Sequence, residues 1–249
     1  MPLSQNENQL LAMLPKPEFD DLRQHLHIVP LISRQVLGNS HSHVRNVYFP
    51  ISGVISFVVP LEDGGMVESG MVGRDGVVGA VQALNRSVLF SQAIVQVPGR
   101  AVVINPDRLR EVAVRHLVVQ RLLLRHEQFL LAQVHQSAAC NAMHNVEQRM
   151  CRWILRMYDL AGTDIPVTHD FLAQMIGVGR PRVSIVASTL QRLGLIDCKR
   201  GCIQIRDFDG LRRASCECHQ AVREHYKAAF GKSKFEFCSP GNRHIQMQA

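Results

Sequence analysis

The chain has 249 residues, a formal net charge of +7 and a pI near 9.3, so it is long enough for two domains and its basic balance favours a polyanionic partner. No apolar run is long enough to cross a bilayer, and the N-terminal MPLSQNENQLLAML lacks the basic start and long apolar centre of a secretory signal. The seven cysteines, none before Cys140, form no secreted-type disulfide framework, so the expected setting is the cytoplasm, with no membrane partner.

Residues 1 to 30 place Leu10, Leu11, Leu14, Phe19, Leu22 and Leu26 in one or two short helices broken around Pro15 and Pro17, a packing cap. From about Val36 to Ile104 the pattern changes to short apolar or alternating runs punctuated by glycine, which predicts strands. Asp63-Gly64-Gly65 lies between two of these runs and suits a hairpin turn. Several short strands with regular turns indicate a small antiparallel barrel or jelly roll. From roughly His116 to Ala138 there is neither proline nor glycine, which predicts one long helix. Its apolar residues cover more than one face, enough to meet both the barrel and the same helix of a second subunit. A further helix is expected over Val146 to Leu160, ending before Gly162.

The stretch Thr168 to Ile196, THDFLAQMIGVGRPRVSIVASTLQRLGLI, reads as two short helices joined by a tight turn. Ala173 permits a close crossing, Gly177 supplies the turn, and Leu172, Ile176, Val178, Val183 and Val186 pack the pair together. Thr168 caps the first helix, and Pro181 suits the first turn of the second, which begins near Gly179 or Arg180. The second helix leaves Arg180, Arg182, Ser184 and Ser188 on its polar face. Beyond Gly194, LIDCKRGCIQIRD predicts two strands around Lys199, Arg200 and Gly201, the shape and charge of a wing. Between Pro166 and Arg206 six basic residues stand against two acidic ones, enough to attract phosphates. A last helix is predicted from Leu211 to about Ala229, followed by a polar tail expected to be disordered.

These features, in this order, resemble the Crp/Fnr family of bacterial transcription regulators over about residues 20 to 230. The most specific pieces are TLQRLGLI (Thr189 to Ile196) and VGRDGVVGAV (Val72 to Val81); SCECH (Ser215 to His219) also looks like one branch of the family. The resemblance implies an α+β chain. Its expected parts are a cyclic-nucleotide-binding-like jelly roll as sensor (residues 1–115), a dimerisation helix (116–140), a winged helix-turn-helix (141–210), and a C-terminal helix and tail (211–249). It further implies a homodimer on a palindromic promoter site, with RNA polymerase a candidate partner.

Two departures qualify the resemblance. Members that bind cyclic AMP carry a glutamate for the ribose and, later, an arginine for the phosphate; here those positions fall on Ala80 and on Ser91, followed by Gln92. With Gly73, Gly76 and Gly79 these make up the candidate sensor pocket, and without a fixed positive charge cyclic AMP binding is not expected. The N-terminal cysteines of the oxygen-sensing members are missing too, and no cofactor is assigned. In the recognition helix, the family's arginine, glutamate and second arginine match Arg180, Pro181 and Ile185, so only Arg180 keeps a base-reading side chain, suited to guanine O6 and N7.

The histidines pair at His25/His27 and His41/His43, and Cys216/Cys218/His219 cluster near the end, but one-residue spacings do not share a helical face and CxC alone is a weak zinc signal. No metal site is assigned. Redox candidates are Cys216 and Cys218, then Cys198 and Cys202, which flank the wing turn. The chain has no GxSxG, Walker-type loop or HExxH, so no enzyme is expected. The alternatives to a DNA-binding regulator are a ligand-binding module whose output is a protein contact, and a cysteine-based redox- or metal-responsive regulator.

Overall fold

The computed structural model describes residues 4–231. Two 3-10 turns lead into α1 (Lys16–Arg23), which starts with Pro17 in its first turn. This N-terminal cap is tied to the sheet by the buried Asn8, whose Nδ2 donates to the carbonyls of Pro50 and Gly76.

The sheet contains β1 (His27–Leu31), β2 (Val36–Gly38), β3 (Val47–Pro60), β4 (Met66–Val72) and β5 (Gln92–Ile104). Its order is β1-β5-β3-β4, all antiparallel, with β2 also on β5. β3 and β5 are unusually long, and their register shifts three times between Pro50 and Ile55. There Gly53 takes φ +82, and a Cβ on Gly99 would lie 2.4 Å from the Ser52 carbonyl oxygen. Glycine at both positions lets the paired strands bend, so each serves two segments of the roll. The Asp63-Gly64-Gly65 turn joins β3 to β4, with Gly64 at φ +82 and Asp63 Oδ1 accepting from the Gly65 N–H.

Two expectations for this region are corrected. Strand structure begins at His27, so the His25/His27 pair does not lie on one helix. The glycines of Val72 to Gly79 read in sequence as lying among strands with no helix after them, yet the block leads into α2 (Ala80–Asn85), because Gly79 at φ +81 provides its left-handed entry.

After β5 come α3 (Pro106–Arg115), capped by the Asn105 side chain, and α4 (Leu117–Met143). α4 runs five residues past the expected end, since nothing before His144 breaks it. Its buried face includes Val119, Leu122, Leu123, His126 and Phe129, while Leu117, Leu124 and Leu131 repeat every seven residues on the exposed face. α5 (Val146–Ala161) opens with an Asn145/Gln148 capping box. Then follow β6 (Asp164–Ile165), α6 (His169–Ile176), α7 (Arg180–Arg192), β7 (Ile196–Lys199) and β8 (Cys202–Ile205), the last two pairing as a hairpin with β6 on its edge.

The single C-terminal helix expected from Leu211 is two helices, α8 (Phe208–Ala214) and α9 (Cys218–Phe230). Asp207 caps α8 through the Gly210 N–H, which starts it early, and the chain leaves helical geometry at Ser215. The expected disordered tail lies outside the described residues.

The C-terminal half packs directly on the roll. Met150, Ile154 and Met157 of α5 share one core with Val54, Val58 and Met71 of the sheet. α9 lies along α4, where Tyr226 and Val222 enclose Phe129 and the Tyr226 hydroxyl donates to Gln9 Oε1 at 2.7 Å. Among the described residues no helix is long and apolar enough to cross a membrane.

Candidate nucleic-acid interface

α6 and α7 cross where Ala173 is buried, and the turn between them uses Gly177 at φ +65, where a side chain would be strained. Thr168 caps α6 by accepting the Phe171 N–H at 3.3 Å. Gly179 is the cap residue of α7, and Pro181 stands in its first turn, where no N–H is needed. Val183, Ala187 and Leu190 bury the inner face of α7 against α5 and α6. The Arg149 guanidinium donates to the Ile176 carbonyl at the end of α6, fixing α6 to α5.

The outer face of α7 presents Arg180, Pro181, Arg182, Ile185 and Ser188 to solvent. Arg180 Nε lies 3.3 Å from Asp170 Oδ1, an exposed pair that holds the guanidinium beside the start of α6. Two of the expected polar readers are already engaged. The Ser184 hydroxyl is 3.1 Å from His169 Nδ1, and Ser188 Oγ donates back to the Ser184 carbonyl at 2.9 Å. Ile185 is 68% exposed, an apolar side chain at the centre of a polar surface. In sequence this position stands out only for the arginine it replaces; its exposure makes it a candidate for contact with a thymine methyl group.

In the wing, Lys199, Arg200 and Gly201 form the exposed tip, with Gly201 at φ +73. Arg206 Nη2 donates to Asp197 Oδ2 at 2.8 Å, and this hydrogen bond holds the Asp197 carboxyl below its usual range. Both ends of the hairpin are therefore braced while its basic tip stays free to approach a phosphate backbone.

Residues 148–214, running from α5 through α8, match the family model for the Crp-like helix-turn-helix domain. This segment is a Crp-like helix-turn-helix domain. The whole fold is similar to that of solved CRP/FNR-type regulators. The c-di-GMP responsive global regulator CLP of Xanthomonas campestris is 17% identical at a TM-score of 0.62, covering 77% of this chain and 99% of that one. FixK2 of Bradyrhizobium japonicum is 14% identical at a TM-score of 0.67, covering 77% and 98%. A CRP-family transcriptional regulator of Thermus thermophilus, TTHB099, is 19% identical at a TM-score of 0.64, covering 75% and 96%. The proteins matched are regulators rather than enzymes. The search of curated proteins found no match.

Next to the Crp-like domain, the candidate sensor residues serve packing. A Cβ at Gly76 would fall 2.6 Å from His126 Nε2, one at Gly73 would press on Leu160, and one at Gly79 would meet Val44. Close approach of α4 accounts for Gly76 and of α5 for Gly73, whereas Gly79 is required by its positive φ and by Val44 of the β2–β3 connection. Ala80 is buried at the start of α2, and Gln92 Nε2 donates to Asn39 Oδ1 at 2.9 Å. The interior of the roll is filled by Leu31, Ile55, Phe57, Val72 and Val95.

Cys198 and Cys202 flank a tight turn, a position from which two thiols could face one another across the hairpin, but they do not. Cys198 pairs with Ile203 and Cys202 with Lys199, so the two thiols project from opposite faces of the hairpin. Burial raises both, leaving them poor nucleophiles. Cys216 and Cys218 do not share a helix: Cys216 lies in the α8–α9 turn and Cys218 is the first residue of α9, both buried.

Proposed function

We propose that the chain is a DNA-binding transcriptional regulator that acts as a homodimer on a palindromic promoter site. The observation that carries this reading is the exposed outer face of α7 beside a basic, braced wing in a Crp-like domain. Arg180 and Ile185 would read base edges, while Arg182, Lys199 and Arg200 would contact phosphates and set the register. Thr168 and Gly179 contribute by fixing the helix starts that aim these side chains.

The dimer rests on the Leu117, Leu124 and Leu131 stripe of α4, an apolar seam with the seven-residue spacing of paired helices. Two copies joined there place two α7 helices on one face of a duplex, about one DNA turn apart. RNA polymerase is the natural downstream partner, and the cytoplasm the natural setting. The roll is read as a sensor that does not respond to cyclic nucleotides. Ala80 supplies no carboxylate for a ribose, and neither Ser91 nor Gln92 supplies a fixed positive charge for a phosphate.

A gel shift on promoter DNA at several salt concentrations tests the reading. A specific complex whose log affinity falls linearly with log salt supports it, whereas the same affinity for specific and random DNA contradicts it. Calorimetry with cyclic AMP should give no binding at micromolar ligand.

A further inference from the structure

The α4–α5 junction carries chemistry that DNA binding does not use. α4 ends with Cys140 and, one helical turn later, its cap residue His144; on the same face an i, i+4 pair projects in one direction. The turn between α8 and α9 brings Cys216 and Cys218 to the same place. The donor atoms of these four residues all lie within 4.8 Å of one another. Cys140 Sγ and Cys216 Sγ are 3.6 Å apart, and Cys218 Sγ and His144 Nδ1 are likewise 3.6 Å apart. We propose that Cys140, His144, Cys216 and Cys218 hold one thiophilic divalent cation of the zinc class, which clamps the start of α9 to the end of α4.

The distances suit a mononuclear ion. With Zn–S near ~2.3 Å and Zn–N near ~2.0–2.1 Å, a tetrahedral centre separates its ligand atoms by roughly 3.5–3.8 Å. An iron–sulfur cluster places an iron behind each ligand and would hold the four much farther apart. Three sulfurs and one imidazole are a soft donor set, and four protein ligands close the shell, as in structural rather than catalytic zinc sites.

The surroundings are those of a ligand set rather than of idle thiols. His144 turns Nδ1 inward while its Nε2 lies 3.3 Å from Glu217 Oε2, an arrangement that orients a ligating imidazole through its second nitrogen. Gln136 Nε2 donates to Cys218 Sγ at 3.1 Å. Three thiolates, a neutral imidazole and a divalent cation sum to one negative charge, and Arg149 and Arg152 stand beside Cys140 to balance it. Both have a buried Nε without a hydrogen-bond partner. The weak CxC signal at Cys216 and Cys218 is thus completed by residues more than 70 positions away in sequence.

Anaerobic titration of the reduced full-length protein with cobalt(II), followed by zinc competition, tests the site. The expected result is one cobalt per chain with the visible bands of a tetrahedral ion and thiolate charge-transfer absorption, displaced by one zinc. Cys140→Ser and Cys216→Ser should abolish the spectrum, Cys151→Ser should retain it, and Glu217→Gln should keep the bands but weaken affinity about 10- to 100-fold. Saturation without tetrahedral bands, or an unchanged spectrum in Cys140→Ser, overturns the proposal. The wild-type titration stands even where a variant fails to fold.

Discussion

Arg156 Nη2 donates to Asp75 Oδ2 at 2.6 Å, and the two side chains are only 5% and 2% exposed. Asp75 belongs to the glycine-rich loop of the roll, where its other carboxylate oxygen accepts the Gly73 N–H, and Arg156 belongs to α5. One buried ion pair therefore joins the roll to the first helix of the Crp-like domain. Asp159, one turn along α5, pairs in turn with His219 of α9 at 2.8 Å.

Removing one partner of such a pair leaves a buried charge uncompensated, at about 3–5 kcal/mol, whereas replacing both with apolar groups of similar volume is close to neutral. Asp75→Leu alone should lower the urea midpoint sharply, and Asp75→Leu with Arg156→Met should recover most of the loss. A double variant no better than the single one would mean that the pair does not join the two halves.

Two buried titratable groups next to this pair predict opposing pH effects. Burial raises Glu68 to about 7, against the pull of the Ser56 hydroxyl, which lies 2.6 Å from both Glu68 Oε2 and Gln96 Oε1. One hydroxyl hydrogen and two acceptors are reconciled when Glu68 carries a proton. Because the folded state holds that proton more tightly, Glu68 stabilises at low pH and its contribution is lost as pH rises from about 4.5 to about 7. Burial lowers His126 to about 4, with the Val77 N–H donating to its Nε2 at 3.4 Å. Here the unfolded state binds the proton more tightly, so stability is lost as pH falls from about 6.5 to about 4. Each effect is on the order of 3 kcal/mol and they offset over most of this window. Unfolding measured from pH 4 to 7 should therefore vary little in the parent, rise with pH in Glu68→Gln and fall with pH in His126→Leu. Parallel curves for all three would contradict the assignment.

The α4 seam predicts its own outcome. Leu124→Glu with Leu131→Glu places four like charges at a two-fold interface and should yield monomers in sedimentation at micromolar concentration, with the fold intact by circular dichroism. DNA affinity should then drop, because each monomer holds only one half-site. An unchanged dimer would remove α4 from the interface.

Within the Crp-like domain the two kinds of contact should separate. Arg180→Ala should cost about 1–3 kcal/mol at one base pair per half-site, while Lys199→Ala should weaken all sequences alike and flatten the salt slope. Ile185→Ala should relax preference at a thymine without altering that slope. Asp170→Asn frees Arg180 from an exposed pair worth at most about 1 kcal/mol, so specific affinity should change by less than tenfold. Uniform loss across sequences for Arg180→Ala would move it to the phosphate-contacting group.

What the sequence disclosed is mostly local. Gly177, Ala173, Val183 and the cap at Thr168 act within one hairpin, so their spacing is enough to read the helix-turn-helix, and the same holds for the Asp63-Gly64-Gly65 turn. The start of α2 is hidden because six helical residues carry too short a period, and the break before α9 because Ser215–Glu217 contain neither glycine nor proline. The meeting of Asp75 with Arg156 and of Cys140 with Cys216 depends on how the two halves pack, which no periodicity records. Ser184 and Ser188 are exposed on a helical wheel, yet their hydroxyls turn to His169 and to the helix backbone.

Whether two α7 helices read DNA as a symmetric pair is decided by selecting bound sequences from a random duplex pool with the full-length protein. The expected result is an enriched palindrome whose half-site centres lie about 10–10.5 base pairs apart, with the enrichment at one guanine lost in Arg180→Ala. Enrichment of a single unrepeated site, or of no sequence at all, would contradict it.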